Sequence, residues 1–237
     1  MLAEIILIGG GYLFGSLPFS VALARLSGLD ISQEEDLHIA LWHQTDKKLA
    51  ILAGALDFFK GVIVILIGSG LGISSIAVVF SGVTTVAGQM WPPPYGGHGE
   101  KGNAPGVGVV MTLSLLYGQY WALLSLISFA TGAALKYCYE RRSTTVNEAK
   151  DGETKSYTSS HPLALSLPLG MLLGFIVAPV ASWHSKGLTT IAQAFLALLI
   201  IIVVRRLTAD LKADLKKGNV TIRMLIERFL FDQLLER

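Results

Sequence analysis

The chain has 237 residues, 52% of them hydrophobic and 15% charged, with a net charge of +2 and a mean hydropathy of +0.56. Soluble domains carry about a quarter charged residues, so this composition indicates a membrane protein. The small net charge, with no dense Lys/Arg block, excludes a nucleic-acid groove, and a single cysteine, Cys138, excludes an internal disulfide and a cysteine-rich metal site.

The start, Met1-Leu2-Ala3-Glu4, lacks the basic region of a secretory signal, so the first apolar run is expected to stay in the mature chain. A spanning helix needs about 20 mostly apolar residues. Residues 5–26 supply the first such run, and Ser16 and Pro18 within it predict a kink. A polar stretch with Asp36, His38 and His43 follows, and then a second run over 49–71 that contains Asp57 and Lys60. At i,i+3 these two charges can neutralise each other. An unpaired charge there would cost roughly 2.5 to 3.5 kcal/mol, so structural pairing is the first reading and a lysine pointing into a site the lesser one.

The third run, 73–91, ends in the most informative segment of the chain, Gly88-Gln89-Met90-Trp91-Pro92-Pro93-Pro94-Tyr95-Gly96-Gly97-His98-Gly99-Glu100-Lys101-Gly102. Glycines let backbone N–H groups approach a phosphate, lysine adds a point charge, and a helix starting just afterwards aims its positive end at the same place. Such a loop at membrane depth must line a polar cavity. Lys101, Gly99 and Gly102 are therefore candidate phosphate ligands, with Arg25, Lys60 and Arg206 as further charge-neutralising candidates.

Further runs cover 106–117, 120–137, 162–180 and 188–204, giving about seven spanning helices in all. Residues 140–160 are rich in Ser and Thr and read as a mobile connection. Most basic residues, including Arg25, Lys47, Lys48, Lys101, Arg141, Arg142, Arg205 and Arg206, fall in one set of alternate connections. The positive-inside rule makes that set cytoplasmic, with the N-terminus outside and the C-terminus inside. The expected division is a transmembrane domain over 1–218 and an amphipathic helix over 219–237, where Ile222, Leu225, Ile226, Phe229 and Leu230 recur at helical spacing. That helix either lies on the membrane or another subunit, or covers the protein's own cytoplasmic face.

His38 and His43 titrate near neutral pH and suit general bases, although a solvated loop histidine is commoner. With Asp36 they match no well-known ligand spacing, so no metal is expected. Arg205 and Arg206 first mark the cytoplasmic end of the last span, with phosphate contact the minority role.

The segment from Gly88 to Gly102 resembles, without gaps, the loop of the bacterial acyl-phosphate-dependent glycerol-3-phosphate acyltransferases, the PlsY family, whose pattern runs G-H-x-F-P-x-F-x-x-F-x-G-G-K-G. Gly88, Pro92, Gly99, Lys101 and Gly102 match it. Gly15-Ser16-Leu17-Pro18-Phe19, Lys47-Lys48 and Leu56-Asp57-Phe58-Phe59-Lys60-Gly61 resemble further family elements in the same order. Departures are equally plain: the family's S-G-N-x-G-A-x-N is replaced around Asp36, His38 and His43, its loop histidine is Gln89, and Arg205-Arg206-Leu207-Thr208 stands for its H-R-E-N.

The resemblance implies an all-helical, multi-pass bacterial plasma-membrane protein that transfers a fatty acyl group from acyl-phosphate to glycerol-3-phosphate in phospholipid synthesis, without a cofactor. Its partners would be those two substrates and membrane lipids, and no catalytic residue is singled out. Two other classes stand beside it: a non-catalytic paralogue or lipid-binding partner subunit, and a transporter. Transporters of broken-helix type usually carry paired breaks in two halves, and only one such break is visible here.

Overall fold

A computed structural model describes residues 1–28, 47–97, 99–147, 166–208 and 221–231, and every regular element among them is helical. In chain order these are α1 (Leu2–Gly15), α2 (Phe19–Leu26), α3 (Lys47–Gly70), α4 (Ser75–Met90), α5 (Asn103–Leu116), α6 (Leu124–Asn147), α7 (Ser166–Lys186), α8 (Thr190–Thr208) and α9 (Ile222–Phe231). Short 3-10 turns at Pro93–Tyr95 and Tyr120–Leu123 precede α5 and α6. Asp36, His38, His43 and most of the polar 140–160 connection lie outside the described residues.

Five helical segments are long and apolar enough to cross a membrane: Leu2–Leu26, Lys48–Gly70, Tyr120–Cys138, Ser166–Lys186 and Thr190–Thr208. The other two expected spans are α4 and α5, which are apolar but only 16 and 14 residues long. Their position explains how they can be short. Most residues of both helices are buried, so protein rather than lipid surrounds the greater part of their backbones, while Ile76 at the start of α4 and Leu115 and Leu116 at the end of α5 are exposed.

Small residues bring the helices together. A Cβ on Gly15 would lie 2.0 Å from the Thr85 carbonyl oxygen, so α1 and α4 are almost in backbone contact. Gly61 and Gly108 play the same part between α3 and α5, as do Gly132 and Gly170 between α6 and α7. Close backbone approach through small residues is how helices associate where the surrounding lipid is as apolar as the side chains. Between them Val78, Val86, Met90, Val109, Leu113, Phe175, Phe195 and Leu198 form a continuous buried core. Leu2, Ile5, Ile51, Leu66, Ile127 and Ile200 are exposed on the outside of the bundle.

The predicted kink in the first span is a full break. Ser16 closes α1, and Pro18, which has no N–H to continue the ladder, precedes α2. The sixth run also differs from its expected range, because α7 continues past Val180 to Lys186. Near its end Ser182 and Ser185 each donate to Gln119 Oε1 at 3.1 Å, and Gln119 is 1% exposed. At that end of the bundle Tyr120, Trp121 and Trp183 are exposed, the placement of a membrane-interface aromatic belt. The glycine loop and Arg205 lie at the other end.

Candidate functional site

The glycine loop is built on the C-terminal end of α4, which α1 holds in place. Tyr12 Oη donates to the Trp91 carbonyl at 2.6 Å, and Ser16 Oγ donates to the carbonyls of Tyr12 and Gly88 at 2.9 and 3.1 Å. Gly88 is needed there, since a Cβ would sit 2.0 Å from the Tyr12 carbonyl oxygen. The chain then turns through Gly96 and Gly97, both in the left-handed region at φ 61° and 80°. It folds back so that Gly99 lies against the Gln89 carbonyl, at 2.1 Å from where a Cβ would be. Gly102, at φ 69°, caps the start of α5 and packs on Met90 and Val86.

Thus Gly99, Lys101 and Gly102 gather at the N-terminus of a 14-residue helix, whose first N–H groups and positive dipole end face the loop. Lys101 is half-buried. A second cation joins from α8: Arg205 Nη2 donates to the Gly99 carbonyl at 2.7 Å. The loop therefore carries lysine and arginine charge beside glycine backbone and a helix start. That combination is chemically suited to an anion of phosphate size, the lysine as a point charge and the guanidinium as a planar donor.

Lys60 is 1% exposed and forms a 2.6 Å ion pair with Asp57 Oδ1, while Ser20 Oγ donates to Asp57 Oδ2 at 3.0 Å. Lys60 Nζ also donates to the carbonyls of Leu17 at 2.6 Å and Gly15 at 3.4 Å and lies 4.8 Å from the Phe19 ring centroid. These are carbonyls around the Ser16–Pro18 break, so the lysine supplies the hydrogen bonds that the interrupted helix cannot. The first reading of this pair, structural neutralisation, is the arrangement found.

Arg206, offered from sequence as a phosphate candidate, is 2% exposed. Its Nη1 donates to the carbonyls of Phe229 at 3.1 Å and Leu230 at 3.5 Å, and its Nη2 to Pro168 at 3.0 Å. It holds α9 against α7 and α8. Within α9, Met224 and Arg228 are buried, and Arg223 Nε pairs with Glu227 Oε1 at 2.8 Å as its i,i+4 spacing suggests. Arg25 is exposed at the end of α2, next to the residues that are not described. His98 and the Asp36, His38 and His43 stretch lie outside the described residues as well.

Of two neighbouring arginines on α8, the sequence offered Arg206 as a charge-neutralising candidate, and it is Arg205 that donates to the Gly99 carbonyl. Adjacent residues on a helix point about 100° apart, so one of the pair meets Gly99 and the other meets α9. Only the rotation of α8 in the bundle decides which.

The sequence model of the family described as Glycerol-3-phosphate acyltransferase matches residues 5–143. A glycerol-3-phosphate acyltransferase of Aquifex aeolicus (strain VF5) is 36% identical over 107 residues, covering 44% of this chain and 56% of the relative. Glycerol-3-phosphate acyltransferase 4 of Dehalococcoides mccartyi (strain CBDB1) is 25% identical over 238 residues, covering 94% of this chain and 88% of the relative. The match to the Aquifex protein thus spans little more than half of its length, and the match to the Dehalococcoides protein most of it. Among solved structures, PlsY (YgiH), an integral membrane glycerol 3-phosphate acyltransferase in its lysophosphatidic acid form, superposes with a TM-score of 0.64 at 24% identity, covering 92% of this chain and 94% of that one. The glycerol 3-phosphate form of PlsY gives a TM-score of 0.63 at 23% identity.

Proposed function

This chain belongs to the glycerol-3-phosphate acyltransferase family, and on that premise we propose that it transfers a fatty acyl group from acyl-phosphate to the 1-hydroxyl of glycerol-3-phosphate. The observation that carries the proposal is the loop at the start of α5, where Gly99, Lys101 and Gly102 meet Arg205. The chemistry asks little more of the protein. In an acyl-phosphate the carbonyl carbon is already activated: the glycerol oxygen forms the new ester bond, the bond from carbonyl carbon to phosphate oxygen breaks, and inorganic phosphate leaves as the hydroxyl proton is lost. Both substrates are anions, so positioning them against fixed cations and backbone N–H groups supplies most of the catalysis. The acyl chain reaches the loop from the bilayer between helices.

The direct test is the purified full chain in detergent with acyl-phosphate and glycerol-3-phosphate. Lysophosphatidate and phosphate are expected as products, together with rescue of a host that lacks its own acyltransferase. No product with any of several acyl chain lengths, and no rescue, would favour a non-catalytic membrane paralogue or lipid-binding partner subunit.

The same reading includes the finer topology. Counting α1 with α2 as one crossing, and the short α4 and α5 as two more, gives seven crossings with the N-terminus outside and the glycine loop cytoplasmic. We take 1–218 as the transmembrane domain and 219–237 as an appended segment, whose helix α9 is clamped by Arg206 to the cytoplasmic face. Cys138 is exposed near the same end, with Lys136, Arg141 and Arg142 around it. A membrane-impermeant maleimide should label it only after lysis. Efficient labelling in intact cells would reverse the orientation.

A further inference from the structure

Two carboxamide oxygens at the loop have no hydrogen-bond partner among the described residues. Gln89, the last residue but one of α4, is 5% exposed, and its Oε1 is fully enclosed without a partner. Asn103, the first residue of α5, has its Oδ1 in the same condition. Buried polar groups are nearly always bonded, and leaving an acceptor unsatisfied costs about 1–3 kcal/mol. Two such groups flanking one loop therefore call for a common explanation.

Their positions converge. Gly82 on α4 packs on Val109 of α5, and Val86, one turn later, packs on Gly102. Gln89 is three residues beyond Val86, on the face of α4 that carries the contacts to α5 and Gly102. The Gly99 carbonyl that accepts from Arg205 is next to it, since Gly99 lies on the Gln89 backbone, and Arg205 Nε is a third enclosed group without a partner.

The chemistry of these groups narrows what they bind. Phosphate oxygens near neutral pH only accept hydrogen bonds, so they suit the Arg205 N–H and the Lys101 ammonium but not the oxygens of Gln89 and Asn103. Those oxygens need a donor. A hydroxyl is a donor and also an acceptor, which complements a carboxamide at both ends.

We propose that Gln89 and Asn103 form a hydroxyl-recognition site that takes the vicinal diol of a glycerol-type acceptor, whose phosphate lies on Lys101 and Arg205. This rests on the acyl-transfer reading for the identity of the acceptor. It assigns selectivity to two positions that the family pattern does not supply, since Gln89 replaces the family's loop histidine and Asn103 begins the stretch that departs from it. The two side chains are positioning residues, and their contribution is discrimination between acceptors rather than bond making.

The test compares glycerol-3-phosphate with 3-hydroxypropyl phosphate, which lacks only the C2 hydroxyl, by calorimetric titration of the full-length protein in detergent. The wild-type chain should prefer glycerol-3-phosphate by about tenfold, the size of one or two net hydrogen bonds. Gln89→Leu and Asn103→Ala should each reduce that preference toward unity while leaving affinity for 3-hydroxypropyl phosphate unchanged. Gln89→Leu should also leave the melting temperature unchanged or raise it, because it removes an unbonded amide from an apolar surround. Equal weakening of both ligands, no wild-type preference, or no binding of either ligand would overturn the inference. Discrimination in binding without lysophosphatidate formation would leave this site standing and overturn the acyl-transfer reading. Product formation with no discrimination would do the reverse.

Discussion

Replacing Lys101 by alanine is expected to lower kcat/KM for acyl transfer by roughly 10- to 100-fold while the protein still inserts in normal amount. The magnitude follows from one charge-assisted hydrogen bond to phosphate, worth about 1.5–3 kcal/mol, at 1.36 kcal/mol per tenfold in rate. Insertion should survive because Lys101 is half-buried on a loop between helices and fills no core position. Lys48 is the control: it is exposed at the start of α3, and Lys48→Ala should change activity little. A steady-state assay of both variants in the same detergent decides the matter. Equal losses would mean that general positive charge, rather than a site at the α5 N-terminus, attracts the substrates.

Breaking the Asp57–Lys60 pair should be the most destabilising change in the first half of the chain. Both side chains are essentially unexposed, so Asp57→Ala encloses an ammonium whose remaining partners among the described residues are the Gly15 and Leu17 carbonyls and the Phe19 ring. Removing one member of a buried pair costs about 3–5 kcal/mol, which for a chain of this size corresponds to a fall in Tm of roughly 6–20 °C. Lys60→Met should be similarly costly, because it also leaves carbonyls at the break in the first span without their donor. The double variant Asp57→Ala/Lys60→Met should be less destabilised than the sum of the singles, since neither charge is then stranded. Thermal unfolding followed by size-exclusion chromatography measures this. Lys60→Met with unchanged Tm and lost activity would instead place Lys60 among the substrate ligands.

Those two residues show what was legible in the chain before it folded. Their i,i+3 spacing inside an apolar run already made pairing the first reading, because the membrane penalises a lone charge. The identity of the remaining partners was not legible. Ser20 and the Leu17 carbonyl lie on the far side of an interrupted helix, and Pro18 announced only that an interruption would occur.

Local chemistry by itself determined the helical class, the apolar runs, the glycine turns and the start of α5 after Gly102, because each depends on residues within a few positions of one another. Helix rotation and depth were decided only by tertiary packing. Arg205 and Arg206 are equivalent in sequence, but their difference of about 100° sends one to Gly99 and the other to the Phe229 and Leu230 carbonyls. The polar end of α7 is tied to Gln119, more than sixty residues away, which accepts from Ser182 and Ser185. α4 and α5 are short, and most of their length is enclosed by surrounding helices rather than lipid. Gln89 read as a simple replacement in a loop pattern until the fold enclosed it without a partner, since burial is a property of what packs around a residue and not of the residue itself.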